Sequence, residues 1–323
     1  MTEPAVESAV APTPGAAPTA PLKVRIGFGL GTTTVANGPE FGTIVDALEA
    51  HGFDSLWLSE RISGPAPDPL VAMAYGAGRT RELKFGMSVM VLPGRNPVVL
   101  AKELATLATM SGGRLLPAFG LGVVDPTEQQ AFGVAREERA ALFDEMLTVM
   151  RHCWTGEPFT HHGTRYHYDD VRVLPAPRRM DVWLGGIAPS ELRRIGRLAD
   201  GWLPSFVTPD DAARGREVIE ATCAEHGRSI EPDHFGALIP YLAEGGEVPD
   251  RLAAVLAKRR PDLADPREIV PTDWAELTTL IERFVEVGTS KFVVLPVREP
   301  GDADAWVNHL AEAAEVLLPL ERG

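Results

Sequence analysis

The chain contains 323 residues and carries a formal net charge of −14 at pH 7. This charge disfavours binding to a nucleic-acid backbone or to an anionic membrane surface, and no apolar run approaches the ~18 residues of a membrane span. The sequence therefore predicts an acidic globular protein, which we expect to be cytoplasmic.

Residues 1–21 are rich in Ala and Pro. This composition cannot bury enough apolar surface to fold, so we predict a disordered tail. Residues 22–323 are assigned to one domain, in which short apolar strands alternate with helical patterns. The predicted strands lie at 24–29, 53–58, 85–92, a stretch closing at 119–122, 182–184, 201–203, 235–241 and 291–295.

A helical pattern follows each of these strands. Eight strand–helix pairs in order predict an α/β fold, a closed (β/α)8 TIM barrel with insertions. The alternative is an open doubly wound sheet, which more often shows an early Gly-x-Gly-x-x-Gly turn that this sequence lacks. Residues 159–174 are predicted to form a surface β-excursion, and residues 243–272 either a lid or a flexible insertion.

The segment 83–122 is the most informative, because it contains one complete parallel strand–helix–strand unit. Its first strand is apolar on both faces except for Ser88, whose hydroxyl needs a partner when buried. Its second strand ends at Gly120-Leu121-Gly122, where glycines leave the backbone open to a ligand.

Ligands of parallel α/β barrels bind at the carboxyl ends of the strands. This rule selects as candidate site residues Gly29, Ser59, Glu60, Arg61, Ser88, Val89, Leu121, Gly122, Gly185, Gly186, Ile187 and Ser205. The Gly185-Gly186 turn precedes a helix opened by Pro189, and free N–H groups at such a helix N-terminus bind phosphate. The same turn also occurs as a purely structural element.

Charged residues near the strand ends allow two interpretations. Glu60 and Arg61 either form an ion pair that orients a substrate or take part in a rim salt bridge worth roughly 0–1 kcal/mol. Asp125 and Glu128 are either carboxylates of the site or caps of the next segment.

Two further clusters are interpreted in the same way. The run 258–260 (Lys-Arg-Arg) either reaches an anionic ligand over the site or forms a solvated face. His161, His162 and His167 are expected on the surface, because neighbours in an extended segment point to opposite faces. No metal site is predicted.

Four segments in order resemble the bacterial luciferase-like monooxygenase superfamily: LWLSER, GMSVMVLPGRNPVVLAKELATLATMSGGRLLPAFGLG, EMLTVMRHCWTGEPFTHHGTRYHY and VWLGGIAPSELRRIGRLADGWLPS. Within it they are most similar to the branch of F420-dependent oxidoreductases. The resemblance covers residues 23–241 strongly and the last barrel unit weakly.

The resemblance implies a barrel that holds coenzyme F420, our first choice, or FMN at the strand ends, with the phosphate on Gly185-Gly186. It also implies a non-proline cis peptide at Ser88-Val89 that supports the cofactor ring. Because relatives of this kind are often dimers and some receive reduced cofactor from another enzyme, we expect a homodimer, a separate flavin or F420 reductase and a small-molecule substrate.

The chain also departs from the F420-dependent sugar-phosphate dehydrogenases of this superfamily. Those enzymes have Ser-Asp-His where this chain has Ser59-Glu60-Arg61, and a glutamate where it has Val123. Arginine is not a general base at ordinary pH, so we do not expect sugar-phosphate oxidation by that mechanism. We expect an F420-dependent oxidoreductase in which Glu60 and Arg61 orient the substrate; the alternatives are an FMN-dependent monooxygenase and a flavin-binding protein without turnover.

Overall fold

A computed structural model describes residues 22–34 and 37–323, and the predicted tail at 1–21 lies outside these ranges. The strands are β1 (Arg25–Leu30), β2 (Ser55–Leu58), β3 (Lys84–Met87), β4 (Met90–Val91), β5 (Leu115–Leu116), β6 (Ala118–Gly120), β7 (Phe159–His162), β8 (His167–Val171), β9 (Trp183–Leu184), β10 (Gly201–Trp202), β11 (Gly236–Tyr241) and β12 (Lys291–Pro296).

Helices follow the barrel strands in the predicted alternation. They are α1 (Gly38–His51), α2 (Pro69–Arg79), α3 (Pro97–Met110), α4 (Pro126–Phe132), α5 (Arg139–Trp154), α6 (Pro189–Leu198), α7 (Pro209–Glu225), α8 (Asp250–Arg259), α9 (Trp274–Glu286) and α10 (Ala303–Leu317). Short 3₁₀ turns lie at Pro232–His234, Pro266–Glu268 and Leu318–Leu320. No helix among the described residues is long and apolar enough to cross a membrane.

The parallel strands form two hydrogen-bonded sheets with the orders β11-β12-β1-β2-β3-β5 and β10-β9-β6-β4. The sheets are joined because β3 and β4 are two halves of the predicted third strand, and β5 and β6 two halves of the fourth. Between β10 and β11 the described ranges show only isolated bridges, Trp202 to Phe235 and Ser205 to Leu238, instead of a continuous ladder. The predicted (β/α)8 barrel fold is confirmed, but among the described residues continuous hydrogen-bonded ladders do not close the ring.

Local sequence explains how a helix begins directly after a strand. In α3, Pro97 occupies the first turn, and the Asn96 side chain accepts hydrogen bonds from the N–H groups of Val98 and Val99, both at 3.0 Å. The predicted stripe then packs against the strands, with Leu100 and Leu104 almost fully buried. Caps of this kind satisfy orphan backbone donors and fix the loop that precedes the helix.

The two insertions differ in character. Strands β7 and β8 form the predicted antiparallel excursion. Residues 243–272 contain α8 and a small core of their own, in which Leu256, Ile269 and Val270 are buried. This insertion is therefore folded, so its interpretation as a flexible segment is wrong.

A buried charge cluster fixes the amino ends of three strands. Asp54 precedes β2, and its carboxylate pairs with Lys84 at 2.7 Å and with the buried Lys291 at the start of β12. Burial alone would raise the pKa of Asp54, but the two ammonium groups hold that pKa well below its usual range. The carboxylate thus ties β2, β3 and β12 together at the end opposite to the ligand-binding end.

We expect Asp54→Asn to lower the free energy of unfolding by about 3–5 kcal/mol, because it leaves the Lys291 ammonium buried without a counter-charge. Urea unfolding followed by circular dichroism measures this loss. The double variant Asp54→Asn/Lys291→Met removes both charges and should recover part of the stability; a double variant as unstable as the sum of the single changes would contradict a direct interaction.

Candidate active site

The predicted site residues lie where expected, at the carboxyl ends of strands on one side of the barrel. Val89 is at the centre of the group. An ideal Cβ built on Gly120 would lie 2.5 Å from Val89 Cγ2, and one built on Gly185 would lie 3.9 Å from Val89 Cγ1 and 3.3 Å from the Leu203 carbonyl oxygen. The ends of the third, fourth and fifth barrel strands therefore meet around one apolar side chain, and Gly120 leaves the room that this side chain occupies.

The Ser88–Val89 peptide bond is cis, as the resemblance implies. It separates β3 from β4. The Ser88 hydroxyl lies 3.2 Å from the Ser59 hydroxyl at the end of β2, and Ser59 Oγ lies 3.4 Å from the Ser88 carbonyl oxygen. Ser88, which is half-buried, thus has a hydroxyl partner, and the two hydroxyls face each other at the end of β2 and β3.

Glu60 is a buried carboxylate that binds the strand after the cis bond. Its side chain is 2% exposed, pairs with Arg95, and accepts a hydrogen bond from the Val91 N–H at 2.7 Å. Arg95 Nε donates to the Val91 carbonyl at 2.9 Å. Glu60 and Arg95 together therefore bind both the N–H and the carbonyl of Val91. Burial raises the pKa of Glu60 above its usual value, although Arg95 and the Val91 N–H act in the opposite direction.

Arg61 points away from Glu60. Its guanidinium lies 3.1 Å from Asp125 Oδ2 and 4.0 Å from Glu128 Oε1, in the loop and helix after the fourth barrel strand. The ion pair considered between Glu60 and Arg61 is therefore not formed. Glu60 instead joins the end of β2 to β4, and Arg61 joins it to the loop and helix that follow β6.

Asp125 and Glu128 have structural partners. Asp125 caps α4, a helix that the strand–helix pattern did not predict, by accepting from the Thr127 N–H at 2.9 Å. Glu128 accepts from the Ile62 N–H at 3.1 Å and from the Ser63 N–H and hydroxyl at 2.9 and 2.6 Å. Burial alone would raise the pKa of Glu128, but these donors hold it below its usual value. Both carboxylates therefore hold loops together.

The Gly185-Gly186 turn leads into α6, as predicted, and Gly186 has the left-handed φ of +96° that favours glycine. The N–H groups of Ile187 and Ala188 are already bound, because Glu191 Oε2 accepts from them at 3.1 and 3.0 Å. An anion at these donors would have to displace the Glu191 carboxylate. The sequence indicates this feature, since a glutamate at the third position of a helix commonly accepts a hydrogen bond from the N–H of the N-cap residue, here Ala188.

Arg139 fixes the loop after the fourth strand. It is buried, and its Nη1 donates to the carbonyls of Leu121 at 3.4 Å and Val123 at 3.2 Å. An ideal Cβ on Gly122 would lie 3.4 Å from the same nitrogen, and its φ is +86°. Leu121 and Gly122 therefore shape the rim of the site and hold the following valines in place.

The remaining predicted residues lie farther round the ring. Gly29 is on the inner face of β1, where an ideal Cβ would lie 3.2 Å from Leu295 and from Val293. Ser205 ends the sixth barrel strand opposite Leu238. Gly29 is buried and Ser205 is half-buried.

The folded insertion reaches the end of the sixth strand. Phe206 and Val297, which follow β10 and β12, pack against its small core. Arg260 is buried and bonds to Asp211 at 2.8 Å, to Asp262 at 2.7 Å and to the Phe206 carbonyl at 2.6 Å. Arg260 therefore anchors the insertion instead of reaching toward an anion, and for the exposed Lys258 and Arg259 that interpretation stays a prediction.

The histidines of the β-excursion pair with carboxylates. His161 Nε2 lies 3.3 Å from Glu145 Oε1, and His162 Nε2 lies 2.7 Å from Asp169 Oδ1. The rings of His162 and His167 stack with their centroids 6.0 Å apart. These contacts stabilise the hairpin.

Comparison with known proteins gives a consistent result. A family model described as luciferase-like monooxygenase matches residues 23–291. An F420-dependent glucose-6-phosphate dehydrogenase of Microbacterium testaceum is 29% identical over 322 residues, covering 87% of this chain and 93% of that protein.

Two solved structures share the fold. An F420-dependent secondary alcohol dehydrogenase in complex with an F420–acetone adduct is 21% identical with a TM-score of 0.74, covering 93% of this chain and 100% of the other. The oxygenating constituent of 3,6-diketocamphane monooxygenase from Pseudomonas putida, in complex with FMN, is 18% identical with a TM-score of 0.73, covering 93% and 99%.

We expect Glu60→Gln to lower the free energy of unfolding by about 1.5–3 kcal/mol, because charged hydrogen bonds to Arg95 and Val91 are weakened in a buried place. Arg61→Gln removes a guanidinium that is 38% exposed and should cost less than about 1 kcal/mol. Guanidinium chloride unfolding compares the two variants. Equal losses would contradict the distinction drawn between the two residues.

Proposed function

Because the chain belongs to the luciferase-like monooxygenase family, we propose that it is an oxidoreductase that transfers hydride between coenzyme F420 and a small organic substrate at the carboxyl end of the barrel. The meeting of three strand ends at Val89, directly after the cis Ser88–Val89 bond, is the observation that carries this proposal. Val89 packs against Gly120, because a side chain at Gly120 would meet Val89 Cγ2 at 2.5 Å, and this packing offers an apolar side chain as a support for one face of a flavin-type ring.

The residues of the chain supply position and surroundings, and the bound deazaflavin supplies the hydride at its C5 carbon. Val89 supports the ring and excludes water from one face. The hydroxyls of Ser59 and Ser88 offer hydrogen bonds at the ring edge. Glu60 and Arg95 act indirectly: they bind the N–H and the carbonyl of Val91 and so fix the strand that follows Val89.

Glu60 is therefore a positioning residue in this proposal. Its carboxylate is 2% exposed and occupied by Arg95, so it does not reach a substrate. Arg61 likewise holds the loop after the fourth strand. The sugar-phosphate oxidation named for the Microbacterium relative is not proposed here, because an arginine and Val123 stand at the two positions where the resemblance places its acid and base. The reductase partner, the homodimer and the cytoplasmic location remain predictions.

Titration of the apoprotein with F420 and with FMN tests the proposal. We expect F420 fluorescence to change saturably, and the loaded protein to exchange hydride with an alcohol or ketone panel without O2. FMN binding without F420 binding would favour the FMN-dependent monooxygenase instead. Cofactor binding with no turnover, aerobically or anaerobically, would favour a flavin-binding protein.

A variant pair locates the cofactor within this titration. Gly120→Ala places a methyl group 2.5 Å from Val89 and should weaken binding at least tenfold. Gly78→Ala, on helix α2 with nothing within 4 Å of the added carbon, is the matched control and should leave binding unchanged. Unfolding curves check that both variants are folded, and unchanged affinity in a folded Gly120→Ala variant would refute the placement of the ring.

Glu191 provides a separate test of the phosphate position. If the phosphate takes the N–H groups of Ile187 and Ala188, it competes with this carboxylate. Glu191→Gln should then tighten binding of F420 and FMN roughly fivefold, equivalent to about 1 kcal/mol for one charge at a helix N-terminus. Binding of the corresponding riboside and of riboflavin, which lack the phosphate, should not change.

Glu40→Gln is the matched control for Glu191→Gln. Glu40 bonds back to the Asn37 N–H at 3.2 Å in α1 in the same way, so its replacement reports the general effect of removing a capping carboxylate. Equal responses of the phosphorylated and unphosphorylated ligands to Glu191→Gln would place the phosphate elsewhere. Since Gly186 has a left-handed φ, substitutions at Gly186 are less informative.

A further inference from the structure

We propose that the folded insertion at residues 243–272 spans the gap between the sixth and seventh barrel strands, and that its Arg260 is a positioning residue. Arg260 holds the end of the sixth strand in a left-handed backbone conformation and so sets the place of Ser205 at the ligand-binding end. The effect on the cofactor rests on the proposed function. The hold on the strand end is a property of the chain alone and is tested without a cofactor.

The end of the sixth strand has little support from its neighbour in the ring. Among the described residues, only isolated bridges join β10 to β11, and the last of them pairs Ser205 with Leu238. Phe206, the next residue, has a φ of +59°, in the left-handed region that a bulky side chain rarely adopts. Such a conformation persists only where surrounding contacts fix it.

The insertion supplies these contacts. Arg260, directly after α8, is buried, and its Nη1 donates to the Phe206 carbonyl at 2.6 Å. Two carboxylates bind the same guanidinium: Asp262 of the insertion at 2.7 Å, and Asp211 at 2.8 Å in α7, the helix that follows the sixth strand. The Phe206 side chain packs against the small core of the insertion. One arginine thus joins the insertion to the end of β10 and to α7.

The insertion is also fixed to the two strands on the other side of the gap. The Leu242 N–H, directly after β11, donates to the Pro271 carbonyl at 2.9 Å, so the two ends of the insertion lie together beside the seventh strand. The Val297 N–H, after β12, donates to the Tyr241 carbonyl at 2.8 Å, and Val297 packs against the same small core. The insertion therefore connects the carboxyl ends of the sixth, seventh and eighth barrel strands.

The end of the sixth strand adjoins the centre of the site. Leu203, two residues before Ser205, belongs to the apolar cluster against which Val89 packs. An ideal Cβ on Gly185 would lie 3.3 Å from the Leu203 carbonyl oxygen. A shift of this strand end would therefore move Ser205 relative to Val89 and to the Gly185-Gly186 turn.

Hydrogen–deuterium exchange of the full chain without cofactor tests the hold on the strand end. Arg260→Gln should raise exchange in peptides that contain residues 203–208 about tenfold, because a charged hydrogen bond to the backbone is lost. Arg251→Gln, at an exposed position of α8, is the matched control for the loss of one positive charge and should leave this exchange unchanged. Unchanged exchange in a folded Arg260→Gln variant would overturn the proposal.

Fluorescence titration with F420 tests the effect on the site. Arg260→Gln should weaken F420 binding about fivefold, because a less ordered site costs more entropy to organise on binding. Arg114 binds the carbonyls of Leu83 and Ala77 at 2.6 and 2.9 Å near the amino ends of the strands. Arg114→Gln therefore reports a loss of stability alone and should leave F420 affinity unchanged. Equal losses of affinity in the two variants would overturn the positioning role.

Phe206→Gly provides a rescue test. Glycine adopts a left-handed φ without the side-chain penalty, so in this background Arg260→Gln should weaken F420 binding less than about twofold. An undiminished loss would overturn the proposal. If the unmodified protein binds no F420, the proposed function fails, whereas faster exchange at residues 203–208 in Arg260→Gln would still support the hold of Arg260 on the strand end.

Discussion

Two indole side chains fill the barrel, and the rest of the site is built above them. The rings of Trp57 and Trp183 meet edge to face with their centroids 6.3 Å apart, and both are almost completely buried. Glycines on the neighbouring strands leave room for these rings: an ideal Cβ on Gly86 would lie 2.5 Å from Trp57, and one on Gly201 would lie 2.4 Å from Trp183. The interior is thus a packed core, and a ligand is restricted to the carboxyl end.

This restriction places loops from many strands close together, and their charges must be satisfied in a small volume. The chain meets this requirement by pairing charges across strand ends: Glu60 with Arg95 and Arg61 with Asp125. The Glu60 carboxylate is 2% exposed, so removal of Arg95 would leave a charge in a poorly hydrated place, whereas Arg61 and Asp125 are 38% and 33% exposed and their pair contributes little to stability.

Most of this arrangement could be predicted from local sequence patterns. Alternating periodicity located the barrel strands, and the carboxyl-end rule selected Ser88, Val89 and the Gly185-Gly186 turn, which the structure places together. The ion pairs between residues far apart in the chain could not be predicted from these local patterns. Adjacency suggested that Glu60 pairs with Arg61, but neighbours on an extended segment diverge, and the true partner, Arg95, lies in the next strand's loop. The division of the third strand at Ser88–Val89 followed only from the resemblance.

The two departures from the sugar-phosphate dehydrogenases are linked by a physical contact. Arg61 stands at a position where the resemblance places a base, and Val123 at one where it places an acid. In this structure Arg61 binds Asp125, two residues beyond Val123, so the cation that replaces the base holds the loop that has lost the acid. Arg61 thus combines two features in one contact: it stands where the resemblance places the base, and it supports the loop in which Val123 stands where the resemblance places the acid.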